Sequence, residues 1–358
     1  MSEFSNNFTR QLLDWHKENA RELPWAKTTD PYKIWLSEII LQQTRVKQGT
    51  PYYHKFVSVF PTVEALANAS EDKVLKLWEG LGYYSRARNL HHTAKIIANE
   101  MSGKFPDTFE GLLALKGIGE YTASAIASFA YGLPYAVVDG NVIRVLSRYF
   151  GIEEPADSSG VLKSIKSAAK LFLDQSSPGT YNQAILDLGA TVCTPKNVSC
   201  LACPVADSCS AYHQGLVGKI PSKSKKIIKK TRCFHYYIFH DDRFILVSKR
   251  RGNDIWKGLY EFYLVETNSE AISSLVDIPE DLAPFFSNLK YVKENGPYTH
   301  QLTHQNIIAT FHFYKTTIKS GAPKDLNGIF YLVEKKKLST FAFPRVIQKH
   351  IIDQKVYE

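Results

Sequence analysis

The stretch from Leu112 to Asn141, LLALKGIGEYTASAIASFAYGLPYAVVDGN, constrains this chain more than any other. Leu112, Leu113 and Leu115 have the spacing of a helix end, and Gly117-Ile118-Gly119 reads as a tight turn. A second helix is predicted from Glu120 through small residues to about Tyr131, where Gly132 and Pro134 stop it. Glycine reaches positive φ without strain and has no Cβ to hold a partner away. The turn lies just ahead of a helix start, whose first N–H groups are free and whose dipole is positive there. It therefore forms a backbone cradle for one phosphate. Asp139 follows Val137-Val138 and precedes another helical run. Each feature has a plain alternative: an ordinary helical hairpin for the glycines, an ordinary N-cap for the aspartate. Their order, with a four-cysteine cluster downstream, points to a helix-hairpin-helix DNA clamp leading into a catalytic aspartate.

At 358 residues the chain is long enough for two or three domains, each with its own core. The formal net charge of +9 suggests a polyanionic partner and says nothing of fold. No apolar run has the length of a membrane span, and the N-terminus lacks the apolar centre of a signal peptide. The chain is expected in the cytoplasm, at the nucleoid if DNA is its partner. Its five cysteines are too few and too clustered for a disulfide scaffold.

Phe8, Leu12, Leu13 and Trp15 predict a helix over 4–19. After the loop Arg21-Glu22-Leu23-Pro24-Trp25, Asp30-Pro31 supplies the cap and first-position proline of a second helix. That helix places Glu38 on one face with Ile34, Trp35 and Leu41. Apolar neighbours raise a carboxyl pKa and favour the acid form, although a glutamate at the edge of an amphipathic helix shows the same local pattern. A helix pair is expected over 51–69, and a further helix from Ser70 through Trp78. Gly80-Leu81-Gly82-Tyr83-Tyr84-Ser85 is a glycine-rich turn, followed by Arg86, Arg88, His91, His92 and Lys95. A basic stripe beside exposed aromatics suits phosphate contact and stacking; for the charges alone, a solvated helix face is the ordinary reading. Residues 140–192 read as helical, with a break at 176–179.

Cys193, Cys200, Cys203 and Cys209 are separated by six, two and five residues. Thiolates this close can surround one soft metal centre. Zinc sites usually pair two C-x-x-C knuckles across a longer loop; the single knuckle and the compact span favour a [4Fe–4S] cluster here. Cys233 reads as a strand residue. Lys219, Lys223, Lys225, Lys226, Lys229 and Lys230, with Pro221, mark a basic linker over 216–231. Beyond it the pattern alternates. Strands are predicted at 233–240 and 243–248 about Asp241-Asp242, after the run 256–262, and at 307–314 and 328–332. The fold class expected is multidomain: a mostly α-helical helix-hairpin-helix lobe and cluster lobe, then an α+β domain.

Six ordered motifs together resemble the adenine DNA glycosylases of the MutY type, in the helix-hairpin-helix base-excision superfamily. They are Leu23-Pro24-Trp25, the run WLSEIILQQT from Trp35 to Thr44, Gly80-Leu81-Gly82-Tyr83-Tyr84, the Gly117/Gly119 hairpin, Val138-Asp139-Gly140-Asn141-Val142 and the four cysteines. The match is close over residues 8–215 and looser beyond, where the chain is similar to the family's Nudix-like lesion-recognition domain. The resemblance implies a glycosylase with a [4Fe–4S] cluster over 1–215, with a six-helix lobe at about 28–133. The N-terminal helix and 134–215 would form the cluster lobe. The linker at 216–231 and a recognition domain over 232–358 follow.

It further implies the residue roles. Glu38 is the general acid and Asp139 the carboxylate that stabilises the cationic sugar, supported by Asn141 and Tyr121. Arg21, Trp25 and Leu41 form the adenine pocket, Gln43 and Tyr83 fill or wedge the vacated stack, and Thr44 and Leu81 lie near the oxidised guanine. Gly117 and Gly119 hold a phosphate. Lys116, where relatives have proline, adds a phosphate contact, and Ala26 stands where relatives often have arginine. Leu302-Thr303-His304 aligns with the lesion-sensing Phe-Ser-His loop: Leu302 weakens stacking, while Thr303 and His304 keep polar groups for a guanine edge. Cys193, Cys200, Cys203 and Cys209 hold the cluster.

The function expected is monofunctional hydrolysis of adenine from 8-oxoguanine:adenine or guanine:adenine mispairs in duplex DNA, by a monomer. Endonuclease III-type relatives carry a Schiff-base lysine where this chain has Tyr121, which has no amine to react. A bifunctional glycosylase/lyase is therefore the first alternative. A non-catalytic iron–sulfur DNA-binding protein and a zinc-stapled binder are the others. The R-E-x-x-E-E box of Nudix hydrolases is missing after Phe262, so hydrolysis of nucleoside diphosphates is not expected.

Overall fold

The computed structural model describes residues 3–224, 228–268, 280, 282–319 and 322–356. Lys225 and Lys226 of the basic linker, and most of the stretch in which the hydrolase box was sought, lie outside them. The chain divides into two compact units: residues 1–68 with 89–226, and residues 69–88 with 227–358. Among the described residues, no helix is long and apolar enough to cross a membrane.

The first unit is helical. It contains α1 (Glu3–Asn19), α2 (Pro31–Leu41), α3 (Val46–Val59) and α4 (Val63–Ala67). The next helix, α5 (Glu71–Trp78), belongs to the second unit; α6 (Ser85–Glu100) begins there and continues into the first. Then come α7 (Phe109–Leu113), α8 (Glu120–Tyr131), α9 (Gly140–Phe150), α10 (Ser159–Phe172), α11 (Pro178–Thr191) and α12 (Ser210–His213). Caps set many of these starts. Asp30 accepts the Tyr32 N–H at 2.9 Å, with Pro31 in the first turn of α2. Ser70 caps α5 and Thr108 caps α7. The helix expected from Pro51 starts earlier, at Val46, with Pro51 inside it.

Two helices depart from simple amphipathicity. All of α2 from Ile34 to Ile40 is buried, so Glu38 is enclosed by the fold and does not sit at the border of an apolar face. In α8 the small residues Ala123, Ser124, Ala125 and Ala127 are buried, which lets α2 and α11 approach its backbone closely. The second half of the unit packs α1, α9, α10 and α11 around Phe8, Tyr149 and Phe172. The Phe8 ring centroid lies 4.7 Å and 4.8 Å from the other two. Each such buried side chain stabilises the fold by about 1.5–3 kcal/mol.

Asn182 of α11 ties the α8–α9 connector to this core. Its Oδ1 accepts the Val137 N–H at 3.1 Å, and its Nδ2 donates to Ser128 Oγ at 2.9 Å and to the Tyr135 carbonyl at 2.8 Å. The side chain is fully buried. It gives backbone groups of an irregular segment the partners that a helix or sheet would supply.

The second unit is built on a mixed sheet of β1 (Lys230–His240), β2 (Phe244–Lys249), β3 (Tyr260–Glu261), β4 (Tyr263–Thr267), β5 (Phe286–Gln301), β6 (Gln305–Ile318), β7 (Asp325–Leu326) and β8 (Phe330–Glu334). The main order is β5-β6-β1-β2-β8-β7, with β3 on β2 and β4 on β1. Strand β1 runs parallel to β6; the other pairs are antiparallel. Phe234, Tyr236 and Ile238 face one core, under α13 (Arg345–Asp353), and Tyr237 and Phe239 face the other, as a period of two requires. The expected α+β character is present, but β5 and α13 were not read from the sequence, and β8 lies two residues beyond its expected place. In β5 the residues from Leu289 to Tyr298 are mainly exposed whether polar or apolar, and the register shifts three times, which erases the alternation.

Replacing Asn182 with alanine leaves the Val137 N–H and the Tyr135 carbonyl without their side-chain partners. We expect Asn182→Ala to lower unfolding stability by about 2–3 kcal/mol in denaturant titrations.

Candidate active site

Glu38 stands in the last turn of α2, 8% exposed. A carboxylate there loses hydration that apolar neighbours do not replace, and burial pushes its carboxyl up to about 7. A hydrogen bond from the Tyr121 hydroxyl works the other way, and the charge of Asp139 adds to the rise. Tyr121, on the first turn of α8, is held well above the usual phenol range by burial and by both carboxylates, so it remains a hydrogen-bond donor.

Asp139 is the N-cap of α9. Its Oδ1 accepts the N–H groups of Asn141 at 2.8 Å and Val142 at 2.9 Å, and its Oδ2 accepts Asn141 Nδ2 at 2.7 Å. The cap fixes the carboxylate's orientation, and the carboxylate lines a cavity. The cap thus does not take the carboxylate away from the cavity. Asn141 is fixed in turn by Arg144 Nη2 at 2.9 Å, whose guanidinium also reaches the carbonyls of Gly189 and Cys193.

The cavity has a volume of about 550 Å³ and brings together Glu38, Tyr121, Asp139, Asn141, Arg21, Trp25, Leu41, Gln43 and Thr44. Trp25 is held edge-to-face on Tyr53 at 5.1 Å. Arg21 donates from Nε to Asp187 Oδ1 at 2.7 Å and from its backbone N–H to Oδ2 at 3.0 Å. Asp187 is fully buried and meets His16 Nε2 at 3.1 Å and Gln183 Nε2 at 2.7 Å. Burial pushes its carboxyl up, but the His16 and Arg21 bonds more than offset this and hold it below the usual range. Sequence reading missed Asp187 and Asn182; both sit on α11 among apolar residues, and a polar residue on a buried face was the available signal. A larger cavity of about 720 Å³ lies across Tyr121, walled by the stacked Phe109 and Tyr135, and includes none of the other expected site residues.

At the hairpin only one glycine is left-handed. Gly117 has φ +83°, and a Cβ there would lie 2.7 Å from Asn89 Cβ. Gly119 is extended at φ −93°, caps α8 and has open space where a Cβ would stand, so its backbone is accessible to a ligand. Lys116 is exposed, and its carbonyl accepts Thr93 Oγ1 at 2.7 Å. Gln43 and Tyr83, the two residues read as filling the vacated stack, both hold positive φ, at +54° and +47°. Such backbone costs about 1–2 kcal/mol at a non-glycine residue and needs support from its surroundings.

In the second unit, Tyr83 is 46% exposed and its hydroxyl lies 2.5 Å from Thr303 Oγ1, on the turn between β5 and β6. Thr303 and His304 are exposed, and Leu302 packs against the sheet core and anchors their turn. Leu81 is only 6% exposed, and its N–H donates to the Trp78 carbonyl at 3.1 Å. The basic stripe needs correction. His91 is buried, and Arg86 packs over the Trp78 and Tyr83 rings at 5.1 and 5.5 Å. Arg88 donates to the Lys257 carbonyl at 2.5 Å, and only His92 and Lys95 of the five are exposed. Helical spacing put these residues on neighbouring faces without showing what covers each face.

Cys193, Cys200, Cys203 and Cys209 all line one small apolar cavity with Val145, Tyr149, Leu188 and Val205. Arg148 of α9 points Nη1 at Cys193 Sγ, 3.4 Å away, and at the Thr194 carbonyl, 2.7 Å away.

Both parts of the chain resemble known families. Residues 36–171 match the family described as HhH-GPD superfamily base excision DNA repair protein, and residues 235–353 match the NUDIX domain. An adenine DNA glycosylase of Buchnera aphidicola subsp. Schizaphis graminum is 34% identical over 96% of this chain and 97% of its own length. That of Rattus norvegicus is 42% identical over 60% of this chain and 44% of its own. A thermostable thymine-DNA glycosylase structure superposes with a TM-score of 0.55 at 27% identity, over 59% of this chain and 97% of that one. An endonuclease III–DNA complex shares the fold at a TM-score of 0.50 and 18% identity, over 59% of this chain and 98% of that one. The chain belongs to the adenine DNA glycosylase family, enzymes of base excision repair that remove adenine.

Proposed function

We propose that this glycosylase hydrolyses the N-glycosidic bond of adenine paired with 8-oxoguanine, or with guanine, in duplex DNA, and that it has no lyase step. The observation that carries this reading is one cavity lined by an enclosed carboxyl near neutral pKa and a second, helix-capping carboxylate. Adenine leaves poorly until a ring nitrogen is protonated. The Glu38 carboxyl gives up that proton as the bond from C1′ to nitrogen breaks and its electron pair departs with the base. The sugar left behind is oxocarbenium-like, and Asp139 opposes its charge as an ion partner or through a transient bond to C1′. Water adds at C1′, and its proton goes to the Glu38 carboxylate, which restores the acid. Tyr121 holds Glu38 by a hydrogen bond and has no amine with which to form a Schiff base, which favours this reading over a glycosylase/lyase.

The target adenine must leave the stack, at a cost of a few kcal/mol. Gln43 and Tyr83 fill the space it leaves; Arg21, Trp25 and Leu41 receive it; Thr44, Leu81, Thr303 and His304 address the opposite base. Gly117 and Gly119, with Lys116, take a backbone phosphate. The four cysteines suit a [4Fe–4S] cluster: four soft donors surround one small apolar cavity, with the Arg148 guanidinium against one sulfur to balance thiolate charge. Such a cluster would cross-link residues 193–209 to one another, with Arg148 of α9 bonded to one of the ligand sulfurs. Duplex DNA is the partner this reading requires.

The deciding experiment measures adenine release from duplexes with 8-oxoguanine:adenine, guanine:adenine, cytosine:adenine and thymine:adenine pairs, with and without alkali. Glu38→Gln should lose release by at least about 100-fold while still binding DNA. Retained single-turnover release by this variant rejects the assignment. The acid is protonated below about pH 7, so the single-turnover rate should be level on the acid side and fall as pH rises past that value. A rate that is flat from pH 6 to 9 removes Glu38 as the donor. Borohydride should trap no protein–DNA adduct, because Tyr121 has no amine to form an imine.

A further inference from the structure

The last residue before the glycine-rich loop, Glu79, has no part in the proposed chemistry, yet its carboxylate is 7% exposed and fully engaged. Oε2 accepts Lys76 Nζ at 2.6 Å and Gln348 Nε2 at 3.0 Å, and Oε1 accepts the Phe343 N–H at 2.9 Å. Lys76 Nζ also donates to the Phe341 carbonyl at 2.9 Å. This polar knot clamps the end of α5 to residues 341–348 of the C-terminal domain. Immediately after it, Gly80 and Gly82 take φ values of +96° and +75°, and Tyr83 presents its hydroxyl to Thr303.

We propose that Glu79 is a positioning residue that sets recognition of the base opposite adenine, by fixing the origin of the 80–84 loop against the domain that carries Thr303 and His304. The inference rests on the roles proposed above for Tyr83 and Thr303. A loop with two left-handed glycines has little stiffness of its own, so its pose depends on its anchors. Within the loop the Gly80 N–H meets Tyr84 Oη at 3.2 Å, and Trp78 Nε1 meets the Gly82 carbonyl at 3.0 Å. Those bonds shape the turn but do not refer it to the β5–β6 turn. The Tyr83–Thr303 contact does, and a hydrogen bond tolerates displacements of only a few tenths of an ångström. Glu79, four residues upstream, holds the other end of the same segment to the same domain. Asp72 also fastens α5 to that domain, through Lys249 Nζ at 2.5 Å and Tyr260 Oη at 3.0 Å, but at the helix end remote from the loop.

The test is single-turnover adenine release by full-length wild type, Glu79→Ala, Glu79→Gln and Asp72→Ala on 8-oxoguanine:adenine and guanine:adenine duplexes. Thermal unfolding is recorded for each. Glu79→Ala should lower the ratio of the two rates about tenfold, through loss of charge-assisted hydrogen bonds at the loop's anchor. Glu79→Gln, whose amide oxygen can still accept the Phe343 N–H, should recover part of the ratio. Asp72→Ala removes a comparable number of bonds and should change the ratio by less than about twofold. An unchanged ratio in Glu79→Ala overturns the proposal, and so does an equal fall in Asp72→Ala, which would mark general docking of α5. If Glu79→Ala does not fold, Gln348→Ala decides: a smaller fall in the ratio supports the proposal and none overturns it. A wild type that releases no adenine from either duplex refutes the proposed function itself; a selective wild type with equally selective variants refutes only the role of Glu79.

Discussion

The proposed chemistry depends on keeping water away from one carboxyl. Glu38 is enclosed by a helix buried almost all round, and the proton it retains near neutral pH follows from that enclosure. The cost falls on stability. A folded-state pKa of about 7 against an ordinary 4.5 means that the folded protein binds the proton more tightly than the unfolded chain. This contribution is fully present below about pH 4.5 and is lost as pH rises through 7. On the alkaline side the fold carries a penalty of up to about 3 kcal/mol. The second carboxylate, Asp139, adds to that rise and so couples the proton affinity of Glu38 to the charge of its neighbour in the cavity.

Helix α9 is the element through which the rest of the first unit supports the site. Its cap is Asp139, its first turn carries Asn141, and one turn further Arg144 bonds Asn141 and the Cys193 carbonyl. Arg148, a turn beyond, bonds Cys193 Sγ and the Ile220 carbonyl. Local helical spacing thus lines up the capping carboxylate, its supporting amide and two arginines that reach the cysteine loop. A disturbance of that loop has a short path of hydrogen bonds back to the Asp139 carboxylate. From the other side, α11 contributes Asn182, which holds the connector leading into Asp139, and Asp187, which holds Arg21 at the cavity. The second unit repeats the strategy with Glu79, a buried acid satisfied by donors from distant sequence, placed beside a segment of irregular backbone.

Much of this site was legible because its signals are local. Caps such as Asp30 and Ser70, the glycine hairpin, the cysteine spacing and the tyrosine in place of a Schiff-base lysine each occupy a few consecutive residues, and the ordered motifs tied them to one family. What was missed has long-range causes. His91 looked like one member of a basic stripe, but helical periodicity does not say what will cover a face, and its ring is buried. Strand β5 was hidden because a bulged, mainly exposed strand carries no alternation. Of the two hairpin glycines, both able to take positive φ, only Gly117 does so; Gly119 is extended because it serves as an N-cap.

The sequence by itself determined which reactive groups exist and how neighbours within a turn or a loop present them: an acid beside apolar residues, a capping aspartate, a phenol, four close thiols and a turn able to hold a phosphate. It could do so because caps, turns and helical faces depend on residues only a few positions apart. Tertiary structure alone decided how fully Glu38 loses its water, that its carboxyl and Asp139 share one cavity, and which buried partners hold Arg21, Val137 and Glu79. Desolvation and buried hydrogen bonding depend on what packs from segments up to hundreds of residues away, and no local pattern encodes those partners.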